Sequence, residues 1–223
     1  MHYNTIDNNH GLPLDPFKAC VGPRPIAWLS TVSKDGLDNL APFSQFNNLS
    51  FDPPMVMISF QHGGSEDNHF RKDTLNNIEE TGYFCYNIVP YALKDQMNIT
   101  GNPTKGVDEF VAAGLTKADC VQIPCKRVAE SPIQFECEYV QTIHLPSKSN
   151  RGIIDMVIGR VLEVHIADEV ITPEGKIDFM KIKPLGRLGY FDYTYVNDVF
   201  TMSVPGLNTK QMASMGGERS ERK

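Results

Sequence analysis

Residues 24–60 read RPIAWLSTVSKDGLDNLAPFSQFNNLSFDPPMVMISF, and the order of residue types along them decides the fold. PIAWLSTVS (25–33) is dense in strand formers, KDG (34–36) is a turn signal, and LDNLAPFSQFNN (37–48) resumes extended character, so the stretch predicts a hairpin. FDPP (51–54) breaks the pattern. MVMISF (55–60) is an almost continuous apolar run, which predicts a strand covered on both faces.

Outward from this stretch, QHGGSEDNHFRKD (61–73) carries no periodicity and reads as a loop. TLNNIEETG predicts a short helix over 74–82 with Asp73 or Thr74 as N-cap and Gly82 at its end. YFCYNIV (83–89) is strand-like, and 91–115 predicts two short helices stopping near Gly114. IQFECEYVQTIHL (133–145) and GIIDMVIGRVLEVHIA (152–167) are long alternating runs joined by the polar turn PSKSNR, and are expected to pair as neighbours. Strands spread over both halves with few long helices between them point to a mainly β fold, a closed or nearly closed antiparallel barrel with peripheral helices. The expected organisation is one domain over 1–204 and a polar mobile tail over 205–223.

The chain has 223 residues, 41% hydrophobic and 22% charged, with a formal net charge of −6. That material suffices for a core, and the acidic balance argues against broad contact with nucleic acid. No apolar run approaches the roughly 20 residues of a membrane span. Five cysteines with no CxxC and no secretory leader fit a reducing cytoplasm. Cys120 and Cys125 flank Pro124 without further identifiable ligands, so buried thiols are favoured over a zinc site and no metal is expected.

Two segments carry candidate chemistry. Ser30, Thr31, Ser44, Gln45, Asn47 and Asn48 offer uncharged donors and acceptors beside Phe43 and Phe46, a set suited to a flat heteroaromatic ring. A solvated strand edge with Asn/Ser turn chemistry competes with that reading. RKDT (71–74) sets Arg71, Lys72 and Thr74 at a helix N-terminus, where dipole and amides favour a phosphate; an ordinary cap preceded by solvated charges competes equally. A ring plus a phosphate, with no G-x-G-x-x-G after a strand and no P-loop, favours a mononucleotide such as FMN over a tightly held NAD. His144 and His165 lie on β patterns and read as structural imidazoles.

GPRPIAWLST, the DG turn, NLAPFSQFN, SFDPPMVMIS and RKDTLNNI, in that order, resemble the flavin reductase-like family of FMN-binding split-barrel proteins, in particular its RPIA-type branch. ESPIQFECE, IGRVLEVHI and PLGRLGYFDY extend the likeness over most of residues 17–200. The resemblance implies a six-stranded Greek-key barrel, a homodimer, and FMN in a groove near the subunit interface. It implies that Ser30 and Thr31 line the flavin, that Ser44, Gln45, Phe46 and Asn47 follow the ring and ribityl chain, and that Arg71, Lys72, Asp73 and Thr74 form the phosphate end. Trp28, where small aliphatic residues are usual, and the long acidic loop QHGGSEDNHF depart from the pattern and bear on substrate identity.

The implied activity is NAD(P)H-dependent flavin oxidoreduction, with NADH or NADPH giving hydride to flavin and reduced flavin passing to a partner oxygenase. The alternatives are a non-catalytic, flavoredoxin-like FMN protein exchanging electrons with a protein acceptor, and a β-barrel interaction module without flavin. Because the ring carries the hydride chemistry, no catalytic side chain is assigned.

Overall fold

The computed structural model describes residues 1–61, 63–64, 69–102, 106–146, 154–208 and 211–212. The first half of the chain forms β1 (Arg24–Pro25), β2 (Ala27–Val32), β3 (Asp38–Phe43), β4 (Phe46–Phe51), β5 (Pro54–Phe60), β6 (Gly63–Gly64), β7 (His69–Phe70), α1 (Asp73–Thr81) and β8 (Tyr83–Asn87). There follow α2 (Lys94–Ile99), α3 (Glu109–Ala112), β9 (Lys117–Asp119), β10 (Lys126–Val128), β11 (Ile133–Leu145), β12 (Ile154–Ile166), α4 (Phe179–Ile182), β13 (Leu185–Gly189) and β14 (Asp192–Tyr195).

The hairpin read from 25–48 forms as β2 and β3, which pair antiparallel from Ala27 opposite Phe43 to Val32 opposite Asp38. Gly36 supplies the φ of +81° its turn requires, and its N–H meets the Ser33 carbonyl at 3.0 Å. The stretch 37–48, however, is two strands rather than one. Ser44 and Gln45 separate β3 from β4, and β4 then pairs with β5.

That step closes the sheet. Seven strands are ordered β3-β2-β8-β11-β12-β5-β4, so β3 and β4 stand at opposite ends of the hydrogen-bonded order although consecutive in the chain. Three residue steps span at most about 11 Å, so Phe43 and Phe46, the adjoining ends of the two edge strands, lie close together in space. The result is the antiparallel split barrel expected, with seven strands instead of six.

β11 and β12 pair over almost their whole length, from Ile133 opposite Ile166 to Leu145 opposite Ile154. β5 differs from the expectation of cover on both faces: Val56, Ile58 and Phe60 are buried while Met55, Met57 and Ser59 are half-buried, so the strand follows the period of two with one core face. The interior holds Ala27, Leu29, Ile58, Phe84, Cys137 and Val157, all fully buried. Gly159 faces Phe84 there, and a Cβ on it would lie 2.3 Å from the Phe84 ring.

A second core lies outside the barrel wall, where Trp28, Leu40, Met97, Phe110 and Val128 pack between β2, β3, α2, α3 and β10. Trp28, expected to bear on substrate identity, is fully buried in this layer and donates its Nε1–H to Thr100 Oγ1 at 2.8 Å; it is a packing residue. The helix read as 74–82 is α1, whose N-cap is Lys72 rather than Asp73 or Thr74 and makes no side-chain capping bond. Gly82 ends it at φ +82°, and Leu75 and Ile78 are its buried face.

Three features have no counterpart in the sequence reading: the ribbon β9–β10, the sheet β1-β13-β14, and the short pair β6–β7 inside the stretch read as loop. Residues 147–151 of the polar turn PSKSNR and most of the tail expected at 205–223 lie outside the described residues.

Candidate functional site

The Ser44–Gln45 step that closes the barrel also builds a groove. Its backbone is pinned to β5 by the Ser59 N–H donating to the Gln45 carbonyl at 2.9 Å, and Phe43 is fixed edge-on against Phe60 with ring centroids 4.7 Å apart. Two adjoining cavities of about 270 and 520 Å³ share Pro42, Phe43, Ser44, Gln45 and Gln61 as a common wall. Their volumes suit ligand sites, which run to a few hundred Å³ and more.

The smaller cavity ends on the N-terminus of α1, with Lys72, Asp73 and Thr74 on one side and Thr100, Gly101, Asn102 and Glu109 on the other. The first-turn amides of a helix lack intrahelical acceptors, and Lys72 offers them no side-chain cap. Thr74 is buried, and its Oγ1 accepts from Asn39 Nδ2 at 2.9 Å, leaving the hydroxyl hydrogen to donate elsewhere. Thr31 stands behind this pair and accepts from Asn39 Nδ2 at 3.3 Å and Asn77 Nδ2 at 3.1 Å. Burial raises the Glu109 carboxyl above its usual value and Asp108 and Asp73 add to the rise, against the Leu40 N–H that hydrogen-bonds it.

The sequence-derived residues therefore separate. Ser44 and Gln45 line both cavities, and Lys72, Asp73 and Thr74 line the smaller. Ser30 is fully buried on the outer face of β2 and donates to the Lys126 carbonyl at 2.5 Å. Phe46 stacks on Tyr86 at 4.9 Å and joins the barrel core. Asn47 is exposed, and its Oδ1 accepts from the Asn48 N–H at 3.0 Å. Arg71 is held away from the cavity by a forked pair with Glu79 at 2.8 and 2.9 Å and by Asp155 at 3.3 Å.

What the sequence reading missed is most of the far wall: Lys18, Arg187, Tyr190, Phe191 and Tyr193, which stand with Arg24 on the larger cavity. The run RLGYFDY (187–193) was a visible cluster of aromatic residues with an arginine. Only the pairing of β13 with β1, Arg187 opposite Arg24, brings it to the groove.

His144 and His165 are occupied structurally, His144 Nδ1 lying 2.6 Å from Asp155 and His165 Nε2 2.6 Å from Glu136. All five cysteines are free, and burial pushes the Cys125 thiol up to about 12. Among the described residues no group of three or more His, Cys, Asp or Glu side chains is placed to hold a metal ion, and no helix is long and apolar enough to cross a membrane.

Residues 22–197 match the family described as flavin reductase like domain. A protein of Aquifex aeolicus is 35% identical over 172 residues, covering 76% of this chain and 82% of that one. Nitrilotriacetate monooxygenase component B from Bacillus cereus is 29% identical and superimposes with a TM-score of 0.79 over 91% of this chain and 98% of its own. The 2-nitrobenzoate 2-nitroreductase of Pseudomonas fluorescens is 28% identical with a TM-score of 0.77 over 93% and 98%.

Proposed function

The chain belongs to the flavin reductase-like domain family, and from that premise we propose that it is an FMN-binding flavoprotein that oxidises NADH or NADPH and supplies reduced flavin to a partner oxygenase. The observation that carries the reading is the continuous groove joining the polar Ser44–Gln45 wall to the uncapped N-terminus of α1. The donor set fits the group: Ser44, Gln45 and Gln61 suit the polar edge of a flat ring, and Thr74, Lys72 and the α1 amides suit a phosphate.

When bound, FMN supplies a ring that accepts hydride from a reduced nicotinamide, chemistry that belongs to the cofactor. The protein's residues bind and orient. Phe43, braced by Phe60, gives the ring an apolar wall. Thr31 and Asn39 fix the Thr74 hydroxyl, so the donor is positioned before the ligand arrives.

The exposed apolar run near the C-terminus, with Phe200 at 78% and Met202 at 75% exposure, suits a second copy of the chain, and five unpaired thiols suit a reducing cytoplasm. The experiment is anaerobic addition of NADH or NADPH to the FMN-loaded protein. Rapid bleaching of the yellow band is expected. Retained colour would instead assign a flavoredoxin-like electron carrier, and failure to take up FMN would overturn the proposal.

A further inference from the structure

Three of the five thiols meet on the outside of the barrel wall, away from both cavities of the groove. Cys85 on β8 and Cys125, just before β10, pack with Ile123, and Cys120, just after β9, lies against them. Cys85 and Cys125 are buried, while Cys120 is half-exposed. Cys20 is exposed and stands outside this cluster.

The segment carrying Cys120 is tied down on both sides of it. Asp119 stands opposite Lys126 across the β9–β10 ribbon. The fully buried Glu136, opposite Cys85 on β11, accepts the Val121 and Gln122 N–H groups at 2.6 and 2.7 Å. The Cys120 thiol is thereby held over the wall, where it and the Cys85 thiol hydrogen-bond one another. The Cys85 S–H also reaches the Tyr86 carbonyl at 3.6 Å. Burial, and after it the contact with Cys120, pushes the Cys85 thiol well above its ordinary value, and burial pushes Cys125 up to about 12. Neither buried sulfur supplies the thiolate that oxidants attack, which leaves Cys120 as the sulfur of the cluster within reach of solvent.

We propose that Cys120 is a thiol modified by hydrogen peroxide and that Cys85 is its resolving partner, so that oxidation turns their packed contact into a disulfide clasping the 119–125 segment to the barrel wall. The Cys120 sulfur attacks the peroxide: an S–O bond forms, the O–O bond breaks, and the hydroxide released leaves as water with the thiol proton. The Cys85 sulfur then attacks the sulfur of that sulfenic acid. The S–S bond forms, the S–O bond breaks, and the departing hydroxyl takes the Cys85 proton as a second water. Two thiols lose two electrons and peroxide gains them. A thiol reductant reverses the step, as a transient bridge in a reducing compartment requires. Reduced flavin yields the same peroxide when it meets dioxygen, but the thiol pair stands whether or not the flavin reading holds.

The test is titration of the full-length Cys20→Ser chain with hydrogen peroxide, read by thiol count after denaturation, by peptide mapping and by thermal unfolding. The thiol count is expected to fall by two, with a cross-link joining the Cys85 and Cys120 peptides that dithiothreitol removes. Because the bridge closes a loop of about 35 residues in the unfolded chain, Tm should rise by about 4 °C or more. Cys125→Ser should keep the cross-link and Cys120→Ser should abolish it. In Cys85→Ala, dimedone should trap Cys120 as the sulfenic acid.

Absence of the cross-link, its persistence in Cys120→Ser, or a bridge from Cys120 to Cys125 overturns the pairing. Lack of a dimedone adduct on Cys120 in a folded Cys85→Ala chain overturns the order of attack, and a cross-linked chain that melts no higher overturns the clasp. Where Cys85→Ala does not fold, Cys120→Ser and Cys125→Ser still decide the pairing.

Discussion

Replacing Arg71 by methionine separates a scaffold residue from a phosphate ligand. The guanidinium makes a forked pair with Glu79, at side-chain exposures of 36% and 25%, and reaches Asp155, which is 2% exposed. A pair so open to water contributes about 0.5–1 kcal/mol. Removing one donor from the nearly buried Asp155 costs about 1–3 kcal/mol, toward the lower end because Arg71 itself is screened by solvent. Arg71→Met should therefore lose about 2 kcal/mol, which for a chain of this size lowers Tm by about 4–8 °C.

The loss has a defined pH dependence. The forked bond from Arg71 holds the Glu79 carboxyl below its usual 4.5. A depressed carboxyl contributes stability above its unfolded value, and that contribution disappears as pH falls through the lower folded value. The gap between wild type and variant should be full at pH 7 and shrink below about pH 4.5. Urea unfolding across that range, with FMN titration at pH 7, is the assay, and FMN affinity should move by less than about threefold. Unchanged stability with FMN binding weakened by about tenfold or more would place Arg71 on the phosphate and refute the reasoning.

Lys72→Ala should weaken FMN by about tenfold while leaving riboflavin nearly unaffected, and rising salt should erode the difference; parallel fluorescence titrations with the two flavins check it. Gly159→Ala should cost about 1–3 kcal/mol in thermal unfolding, because its Cβ must displace the buried Phe84 ring. Glu109→Gln keeps an acceptor for the Leu40 N–H and removes a carboxylate whose burial raises its pKa. It should add about 0.5 kcal/mol or more at pH 7, an advantage that narrows as acid protonates the wild-type carboxyl, measured by denaturation at pH 5 and pH 7.

The strands were legible where period and turn chemistry are local. The DG turn, the 133–145 and 152–167 runs and the Gly82 stop all fall close to where sequence places them, because each depends on neighbours a few residues away. Barrel closure was not legible in Ser44–Gln45, since two polar residues between strands read the same whether the chain turns back or crosses to the opposite edge.

The same limit governs the site. Ser44, Gln45, Lys72, Asp73 and Thr74 come together because each lies on or beside a local signal. Ser30 and Arg71 were misdirected by partners that only the tertiary structure brings close, the Lys126 carbonyl and Glu79 with Asp155. Trp28 stood out as a departure from the family pattern, and its packing role was not legible because alternation along β2 does not say that both faces are covered. Arg187 was overlooked because its place depends on a pairing between residues 24 and 187.

The most direct test is a crystal structure of the chain with FMN bound. The ring should lie against Phe43, Ser44 and Gln45, with the phosphate within hydrogen-bonding reach of Thr74 Oγ1 and the first amides of α1. A phosphate seated instead on Lys18 and Arg187, or FMN bound outside the groove, would contradict the account.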